Sequence, residues 1–353
     1  MKKKIFLIVS SLGAGGSERV YWLLSQYFNK EEYEVSVIYL NAFEQCFDKN
    51  ISGIKFIDLK TIKASRSFFK LYKLIRKEKP FAVFSTTDHI NILTAIVSCF
   101  VKIPNLIARM SNNPQQMKLF YGFKTRFYNL FTKICAIRFD FIVCQSEEML
   151  QSVSASYGIR PGKLKVIHNP INETTILKND KSISGLKRLI IVSRLTKEKG
   201  LFRLLEIIKE LPQNYVLTIV GDGPLMTLLK AKVSSSNLEN RVVFKGEIND
   251  VSSQISKHDL LVLSSFTEGF PNAILDALSV GVPVVTFRVG GVKELIREGF
   301  NGFIAEQDDI VTLRRQIIRA CNQAWQHDKI KADINGRFAL DTIGRAYENL
   351  LLQ

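Results

Sequence analysis

The sequence has no apolar run long enough to cross a bilayer and no C-x-x-C pair among its five cysteines. One of its longest uncharged apolar stretches, Ile92–Val101, falls well below the roughly 18 to 20 residues that span a membrane. The run Ile5–Val9 follows Lys2–Lys4 but is too short for a signal peptide, and it favours a buried first strand. Scattered cysteines in apolar patterns are typical of buried free thiols in a reducing compartment. We therefore expect a cytoplasmic protein without a membrane-spanning segment.

Acidic residues are scarce in the first half of the chain. Residues 1–170 hold 25 Lys and Arg against 12 Asp and Glu, a net charge of +13, whereas residues 171–353 hold 24 against 21, a net charge of +3. The first half is therefore expected to face an anionic partner such as nucleic acid, anionic lipid or a phosphorylated substrate. The 353 residues, 46% of them hydrophobic and 23% charged, otherwise exclude disorder, collagen and coiled coil, and their number suggests two domains.

Short β-rich apolar runs alternate with helical patterns, as in the βα units of a parallel sheet. We place strands near residues 4–9, 34–40, 54–57, 81–85, 105–109, 140–144 and 164–167, and then near 188–193, 215–220, 241–244, 259–263, 283–286 and 302–305. The polar segment Asn169–Gly185 between the two series is typical of a linker. The sequence therefore predicts two doubly wound α/β domains with a ligand site in the cleft between them. The predicted boundaries are 1–168 for the first domain, 169–186 for the linker, 187–334 for the second domain and 335–353 for a terminal helix.

The loop Ser10–Arg19 joins the first strand to the first helix and is rich in glycine. Glycines at such a position let the backbone approach an anion at the helix N-terminus. A dinucleotide motif of the form G-x-G-x-x-G is not completed, because Glu18 stands where a third glycine is needed and the second strand ends at Asn41. A phosphate-approaching loop and an ordinary tight turn remain as alternatives.

Two basic residues follow the first strand of the second domain. Val192–Gly200 carries Arg194 and Lys199, and these side chains suit two phosphate groups of one diphosphate. Alone, this segment is only a basic turn. The glycines of Gly221–Pro224 close the next strand with a turn that would admit a ligand closely.

The run Ser264–Leu278 passes from a strand end into a helix. Gly269 and Pro271 shape the turn so that the N–H groups of Asn272 and Ala273 can point at phosphate. This segment therefore predicts an anion site at the start of a helix.

Two carboxylates belong to the same run. Glu268 stands just before the helix and Asp276 about one turn into it. Such spaced acids suit hydrogen bonding to the hydroxyls of two different sugars. A helix cap for Glu268 and a solvated helix face for Asp276 are the alternatives.

With these segments in place, the chain resembles glycosyltransferase family 4, the glycosyl transferases group 1, which are retaining nucleotide-sugar enzymes of the two-Rossmann GT-B fold. The resemblance covers nearly the whole chain, and it implies that the terminal helix 335–353 crosses back onto the first domain. The matching pieces, in chain order, are G-G-x-E-R (Gly15–Arg19), V-I-H-N-P (Val166–Pro170), S-R-L-x-x-x-K-G (Ser193–Gly200), V-G-D-G-P (Val220–Pro224), F-x-G (Phe244–Gly246) and E-G-F-P-N (Glu268–Asn272). Each piece is weak alone, but together in this order they are specific.

The resemblance implies catalytic roles for Glu268, Arg194 and Lys199, with the two cations on the donor diphosphate and the carboxylate on donor-sugar hydroxyls. The donor-binding residues that it implies are Gly15, Gly16, Arg194, Lys199, Gly246, Glu247, Ile248, Glu268, Gly269, Phe270, Pro271, Asn272, Ala273 and Asp276. Of these, Gly246–Ile248 would border the nucleobase. The family motif E-x7-E ends here in Asp276, one methylene shorter than Glu, and ribose binding is its expected role.

The acceptor side departs from the family pattern. Many relatives have a histidine after the fifth strand, where this chain has Ile107–Asn113 without one. Arg109, Ser111 and Asn112 are the expected substitutes, and His89 after the preceding strand is the nearest other candidate. Asp88 beside it suits a helix cap equally well.

The family resemblance also implies catalysis without a metal or other cofactor, with the nucleotide-sugar as co-substrate. The sequence contains no clustered His, Cys or Asp set that argues for a metal. Protein cations and helix N-termini would stabilise the leaving nucleoside diphosphate. We expect front-side displacement, in which the departing phosphate helps to deprotonate the acceptor hydroxyl.

Basic and aromatic residues alternate in two stretches of the first domain. Lys60–Lys79 holds eight Lys and Arg and one acid, and Lys118–Lys133 holds six aromatic and four basic residues. Such helices suit the surface of an anionic bilayer, although rings packed on the sheet with solvated charges give the same pattern. No nucleic-acid module is recognisable, so no nucleic-acid partner is expected.

The leading hypothesis is a UDP-sugar transferase acting on a lipid-linked or oligosaccharide acceptor. We place it peripherally on the inner face of the cytoplasmic membrane, in the assembly of O-antigen, capsule or a related bacterial surface polysaccharide. A GDP-sugar-dependent mannosyltransferase, a GT-B nucleotide-sugar 2-epimerase and an inactive partner subunit are the alternatives.

Overall fold

The structure is a computed structural model that describes residues 2–13, 15–41, 46–115, 124–178 and 185–352, with backbone alone for 124–129. The chain divides into two compact units. Unit 1 comprises Met1–Asn172 together with Leu340–Gln353, and unit 2 comprises Glu173–Ala339. Part of the predicted linker and part of the basic-aromatic stretch Lys118–Lys133 lie outside the described residues.

Unit 1 is a parallel sheet with helices on both faces. Its strands are β1 (Lys3–Val9), β2 (Tyr33–Tyr39), β3 (Ile54–Asp58), β4 (Ala82–Thr86), β5 (Asn105–Arg109), β6 (Phe141–Cys144) and β7 (Leu164–Val166), in the spatial order β3-β2-β1-β4-β5-β6-β7. Its helices are α1 (Gly16–Tyr27), α2 (Ala64–Glu78), α3 (Asp88–Ser98), α4 (Lys124–Ala136) and α5 (Glu147–Tyr157). A short 3-10 helix, Pro161–Lys163, precedes β7.

Alternate side chains of the central strand β1 enter two separate cores. Phe6 and Ile8 pack with α2, α3 and α5, whereas Ile5 and Leu7 pack with α1. Strands covered on both faces form near-continuous hydrophobic runs, as in Ile5–Val9 of β1 and Ala82–Phe84 of β4.

Unit 2 repeats the architecture, and its described residues form six parallel strands. These are β8 (Lys187–Val192), β9 (Tyr215–Val220), β10 (Val242–Gly246), β11 (Leu260–Leu263), β12 (Val284–Phe287) and β13 (Gly302–Ala305), in the spatial order β10-β9-β8-β11-β12-β13. The helices are α6 (Leu201–Glu210), α7 (Met226–Ser235), α8 (Val251–Ser256), α9 (Asn272–Ser279), α10 (Val292–Leu295), α11 (Ile310–Asn322) and α12 (His327–Phe338). The 3-10 helix Lys197–Lys199 precedes α6. The predicted α/β class with two doubly wound parallel sheets is confirmed.

The terminal segment forms two helices with different partners. Helix α12 stays with unit 2, where Phe338 packs against Phe270 with 5.8 Å between ring centroids. Helix α13 (Leu340–Asn349) packs on α1, and Tyr347 is fully buried in unit 1. Tyr27 Oη also donates to Glu348 Oε2 at 3.0 Å. The predicted terminal helix beginning at residue 335 is corrected by this break at Ala339, since α12 is held by unit 2 up to its last residue.

No helix in the described part of the chain is long and apolar enough to cross a membrane.

Candidate functional site

Lys199 and Glu268 form an ion pair beyond the carboxyl ends of β8 and β11. Lys199 Nζ donates to both carboxylate oxygens of Glu268 at 2.9 Å each, and Ser265 Oγ donates to Oε1 at 2.6 Å. The two charged side chains are 17% and 12% exposed, so solvent screens the pair weakly. An ammonium carries three N–H donors, which leaves Lys199 one donor for a ligand.

Backbone contacts hold the two turns that carry this pair. Ser264 Oγ donates to Lys199 O at 2.9 Å, and Phe266 N donates to Glu198 O at 2.8 Å. Gly200 has a φ of +65°, and a Cβ on it would lie 2.1 Å from Ser264 O. The close approach of the turns therefore requires glycine at position 200.

Arg203 on α6 binds the backbone of the turn after β11, although the sequence analysis did not identify it. Its Nε donates to Ser264 O and its Nη2 to Ser265 O, at 2.7 Å each. Its guanidinium carbon lies 3.7 Å from the centroid of the Phe266 ring and 4.0 Å from that of Phe287. Burial lowers the pKa of Arg203 to about 10, so it stays charged at neutral pH. Its place on an amphipathic helix gave no signal of these contacts.

A second glycine contact fixes the backbone at Glu268. Gly290 has a φ of +49°, and a Cβ on it would lie 2.4 Å from Glu268 O and 2.7 Å from Gly269 O. Gly291 N donates to Gly269 O at 3.1 Å. The loop after β12 therefore packs directly against the backbone that presents the carboxylate.

Helix α9 begins directly after this carboxylate. Pro271 precedes it, and the helix has no side-chain cap at that position. The first N–H groups of a helix have no acceptor within the helix, so this end attracts an anion. Asn272 and Ala273 provide these groups and are half-buried. Asp276, one turn further on, is only 6% exposed, which corrects the alternative of a solvated helix face.

The remaining predicted donor residues of unit 2 lie on the turns after β8 and β10. Arg194 is exposed. Gly246 has a φ of +65° with open space around a Cβ position, and its carbonyl accepts from Gly221 N at 2.8 Å. Glu247 is exposed and Ile248 half-buried. The turns after β9 and β10 are thus in contact.

In unit 1, the predicted glycine loop precedes α1. Gly15 is the N-cap residue, directly before Gly16 at the helix start. A Cβ on Gly15 would lie 2.1 Å from Glu18 Oε2. A carboxylate of the chain itself thus lies at the helix end where the sequence predicts an anion.

His89 lies beside this loop. Its Nε2 and Ser10 Oγ are 2.8 Å apart, and the imidazole is exposed. Thr87, the N-cap residue of α3, has a φ of +68°, which is strained for a β-branched residue. Ser111 Oγ accepts from Thr87 N at 3.1 Å. The structure therefore brings His89 and Ser111 to the carboxyl ends of β1, β4 and β5, where strain commonly marks functional sites.

Arg109 is buried inside unit 1, contrary to the expectation that it faces a substrate. It is 1% exposed. Its guanidinium donates to Asn169 Oδ1 at 2.5 Å, to Ser17 Oγ at 3.2 Å and to Thr86 Oγ1 at 3.3 Å. These contacts join β4, β5 and α1 to the segment after β7, so Asn169 also belongs to the packed unit rather than to a linker.

Asp88 gives a pH-dependent prediction. Burial raises its pKa from 3.8 to about 6, against the opposing effect of a hydrogen bond with Asn112. The folded state therefore holds this proton more tightly than the unfolded chain, and stability is lost as pH rises through the folded pKa. We expect Asp88→Asn to raise the free energy of unfolding by about 3 kcal/mol at pH 7.5 and by progressively less towards pH 4. Urea unfolding at both pH values measures this, and an equal gain at both would contradict it.

Within residues 2–13, 15–41, 46–115, 124–178 and 185–352, no group of three or more His, Cys, Asp or Glu side chains is arranged to hold a metal ion.

The geometry defines a protein with two parallel α/β units. In unit 2, turns at the strand ends carry the Glu268 carboxylate, its ion-pair partner Lys199 and the exposed Arg194. Residues 173–334 match the family Glycosyl transferases group 1, and residues 14–175 match Glycosyltransferase Family 4. The chain belongs to glycosyltransferase family 4 and is a glycosyltransferase.

Relatives agree with this assignment, and a solved structure shares the fold. The chain is 30% identical over 284 residues to UDP-Gal:alpha-D-GlcNAc-diphosphoundecaprenol alpha-1,3-galactosyltransferase of Escherichia coli, which covers 74% of this chain and 72% of the relative. It is 28% identical over 330 residues to a Campylobacter jejuni alpha-1,4-N-acetyl-D-galactosaminyltransferase whose name specifies a diNAcBac-PP-undecaprenol acceptor. This match covers 89% of this chain and 88% of the relative. Anabaena Alr3699/HepE in complex with UDP and glucose has a TM-score of 0.85 at 20% identity, covering 99% and 100% of the two chains. The expected GT-B fold is confirmed.

Proposed function

We propose that the protein transfers a sugar from a UDP-sugar to a hydroxyl of a polyprenyl-diphosphate-linked glycan, with retention of anomeric configuration. The acceptor class is supported by the two relatives above, whose names specify undecaprenol-linked diphosphate acceptors. The donor class is supported by the first relative's name and by the UDP in the HepE structure. The product would be a bacterial surface glycan such as O-antigen, capsule or exopolysaccharide.

The Lys199–Glu268 pair is the observation that carries this proposal. Glu268 has oxygens that can accept hydrogen bonds from donor-sugar hydroxyls, and the remaining N–H of Lys199 can meet a phosphate oxygen. The exposed Arg194 guanidinium supplies a second cation. Negative charge accumulates on the nucleoside diphosphate as the glycosidic bond to it breaks, and fixed cations stabilise that charge without reorganisation.

The family resemblance suggests the remaining roles. The first amides of α9 would meet the donor sugar or its phosphate. Asp276 would accept from the ribose, and Gly246–Ile248 would border the base. The acceptor hydroxyl oxygen would bond to the anomeric carbon on the face from which the nucleoside diphosphate departs, while the bond from that carbon to the phosphate oxygen breaks. A phosphate oxygen of the departing diphosphate would take the hydroxyl proton.

A donor panel tests the proposal. Purified protein is incubated with UDP- and GDP-sugars, with and without polyprenyl-diphosphate-linked acceptor, and nucleoside diphosphate release is measured. We expect release from one UDP-sugar and only with the acceptor. Release from a GDP-sugar would identify a mannosyltransferase-type enzyme instead. Release without acceptor would indicate hydrolysis of the donor. Conversion of the donor to a second nucleotide-sugar without release would indicate an epimerase, and binding without release or conversion would indicate an inactive partner.

Metal independence gives a second prediction. Lys199, Arg194 and the α9 N-terminus together supply positive charge for a diphosphate, so we expect transfer to proceed at an unchanged rate in excess EDTA. The rate is compared before and after chelation and again after added Mg²⁺ or Mn²⁺. A loss in EDTA that either ion restores would contradict this expectation.

We also propose that unit 1 binds an anionic membrane through an apolar face on α2, α3 and α4. The face consists of large exposed side chains: Phe69, Ile96, Phe100, Phe131, Ile134 and Ile137. Arg66 and Lys73 lie three residues before and four after Phe69, on the same side of α2. Rings at headgroup depth with flanking cations are the composition of interfacial helices. This would place the enzyme on the inner face of the cytoplasmic membrane.

Vesicle binding tests this surface. Phe69 is 72% and Phe100 66% exposed, and burying one such ring in a bilayer contributes about 2 kcal/mol. We expect Phe69→Ser with Phe100→Ser to lower partitioning onto phosphatidylglycerol vesicles at least tenfold in sedimentation. Leu228→Ser in unit 2, where the side chain is 57% exposed, is the matched control and should bind as the unmodified protein does. Equal losses in both variants would contradict a specific face.

A further inference from the structure

Unit 1 contains a cavity of about 550 Å³ that the sequence analysis did not identify. It lies where β1 and β2 end and α2 and α3 begin. The residues that line it are Ser10, Ser11, Leu40, Asn41, Ile62, Lys63, Ala64 and His89. Ser10, Ser11 and His89 belong to the region already described, whereas the side of the cavity formed after β2 and at the start of α2 has no role yet.

The walls of the cavity favour an anion. Among the described lining residues, Lys63 carries a full positive charge and none is Asp or Glu. Lys60 and Arg66, three residues to either side of Lys63, are also exposed. The nearby Asp58 carboxylate accepts a hydrogen bond from the backbone N–H of Lys60 at 2.7 Å. The hydroxyl of Ser10 adds a neutral polar group to the wall. This combination suits phosphate oxygens.

Exposed apolar side chains lie at the rim of the cavity and further along α2, in the apolar face. Ile62 is 68% exposed although it lines the cavity. Phe69 follows seven residues later, and Phe68 contacts both Phe69 and Phe100, with ring centroids 5.2 and 5.6 Å apart. A ligand with an anionic head in the cavity could thus lay an alkyl chain along these side chains towards the membrane.

We propose that this cavity binds the diphosphate of the lipid-linked acceptor, with Lys63 as its cation and Ile62 against the first isoprene units. The proposal rests on the proposed function for the identity of the ligand. The cavity would then recognise the lipid carrier of the acceptor rather than its sugar. Lys63 and Ile62 would determine the affinity for the acceptor.

Calorimetric titration tests the proposal without any turnover. The probes are geranyl diphosphate and inorganic pyrophosphate, added to the full chain in saturating UDP so that the Lys199 region is occupied. We expect Lys63→Gln to weaken both probes at least tenfold. Lys77→Gln is the matched control on the same helix, far from the cavity and with an exposed side chain, and should bind both probes as the unmodified protein does. Ile62→Ser should weaken geranyl diphosphate several-fold and leave pyrophosphate unchanged, which separates lipid from phosphate recognition.

Several results would overturn the proposal. These are no binding of geranyl diphosphate to the unmodified protein, unchanged binding in Lys63→Gln, an equal loss in Lys77→Gln, and an unchanged affinity for geranyl diphosphate in Ile62→Ser. Failure of the proposed function has a different signature, because the donor panel would then show no acceptor-dependent release whatever the titrations give.

Discussion

Glu268→Gln is expected to lower the rate of sugar transfer about 1,000-fold, the upper range for removing one preorganised group from a reaction centre. The amide keeps the size of the side chain but loses its charge, so Lys199 loses its counter-ion at 2.9 Å. One of the two oxygens that accept from sugar hydroxyls also becomes a donor. Lys199→Met should give a loss of similar size because it removes the cation proposed to bind the diphosphate and leaves Glu268 without its ion pair. Steady-state kinetics with the donor identified in the panel measure both effects.

A second ion pair in unit 2 gives the control for these variants. Glu206 on α6 and Lys232 on α7 form an ion pair at 2.6 Å, away from the strand-end turns. Both side chains are more exposed than those of Lys199 and Glu268. Glu206→Gln should therefore leave the transfer rate within twofold of the unmodified enzyme. Circular dichroism should show the same fold in all three variants. Full activity in Glu268→Gln and Lys199→Met would contradict the site.

Gly200→Ala is expected to destabilise unit 2 by about 3 kcal/mol, because overpacking and a strained backbone act together. The added Cβ would lie 2.1 Å from Ser264 O, and the φ of +65° is unfavourable for alanine. The turn that carries Lys199 must then move away from the turn that carries Glu268. We expect a fall in the thermal midpoint of roughly 6 to 10 °C and at least a tenfold loss of transfer. Calorimetry and kinetics of the same preparation measure the two effects.

Gly299→Ala separates the two causes. Gly299 has a φ of +76°, but open space surrounds its Cβ position. The Gly299→Ala variant should lose about 1 kcal/mol of stability, because alanine disfavours a positive φ, and its transfer rate should be unchanged. If Gly200→Ala were no more harmful than Gly299→Ala, the contact between the turns would not hold the site in place.

The strands were predictable because parallel strands buried on both faces form near-continuous apolar runs. Each predicted strand lies within two residues of an observed one. The site turns of unit 2 were predictable for a related reason, since glycine and charge directly after a buried strand mark its carboxyl end. The pairing of Lys199 with Glu268 was not predicted, because it joins segments 69 residues apart and depends on the adjacency of β8 and β11 in the sheet.

Three features depended on packing and could not be read from local patterns. Arg109 resembles a strand-end functional residue, yet its partner Asn169 lies 60 residues away and draws it inside. Arg203 occupies an ordinary helix position and contacts carbonyls about 60 residues away. The break between α12 and α13 reflects which unit each helix packs against, and the apolar spacing is helical on both sides of Ala339.

The configuration of the product tests the central claim most directly. The identified UDP-sugar and a synthetic polyprenyl-diphosphate-linked acceptor are incubated with the enzyme, and the new anomeric signal is assigned by NMR. We predict one new glycosidic bond with the same anomeric configuration as the donor, formed by the unmodified enzyme and not by Glu268→Gln. A product of inverted configuration, or donor converted without a new bond to the acceptor, would contradict the account.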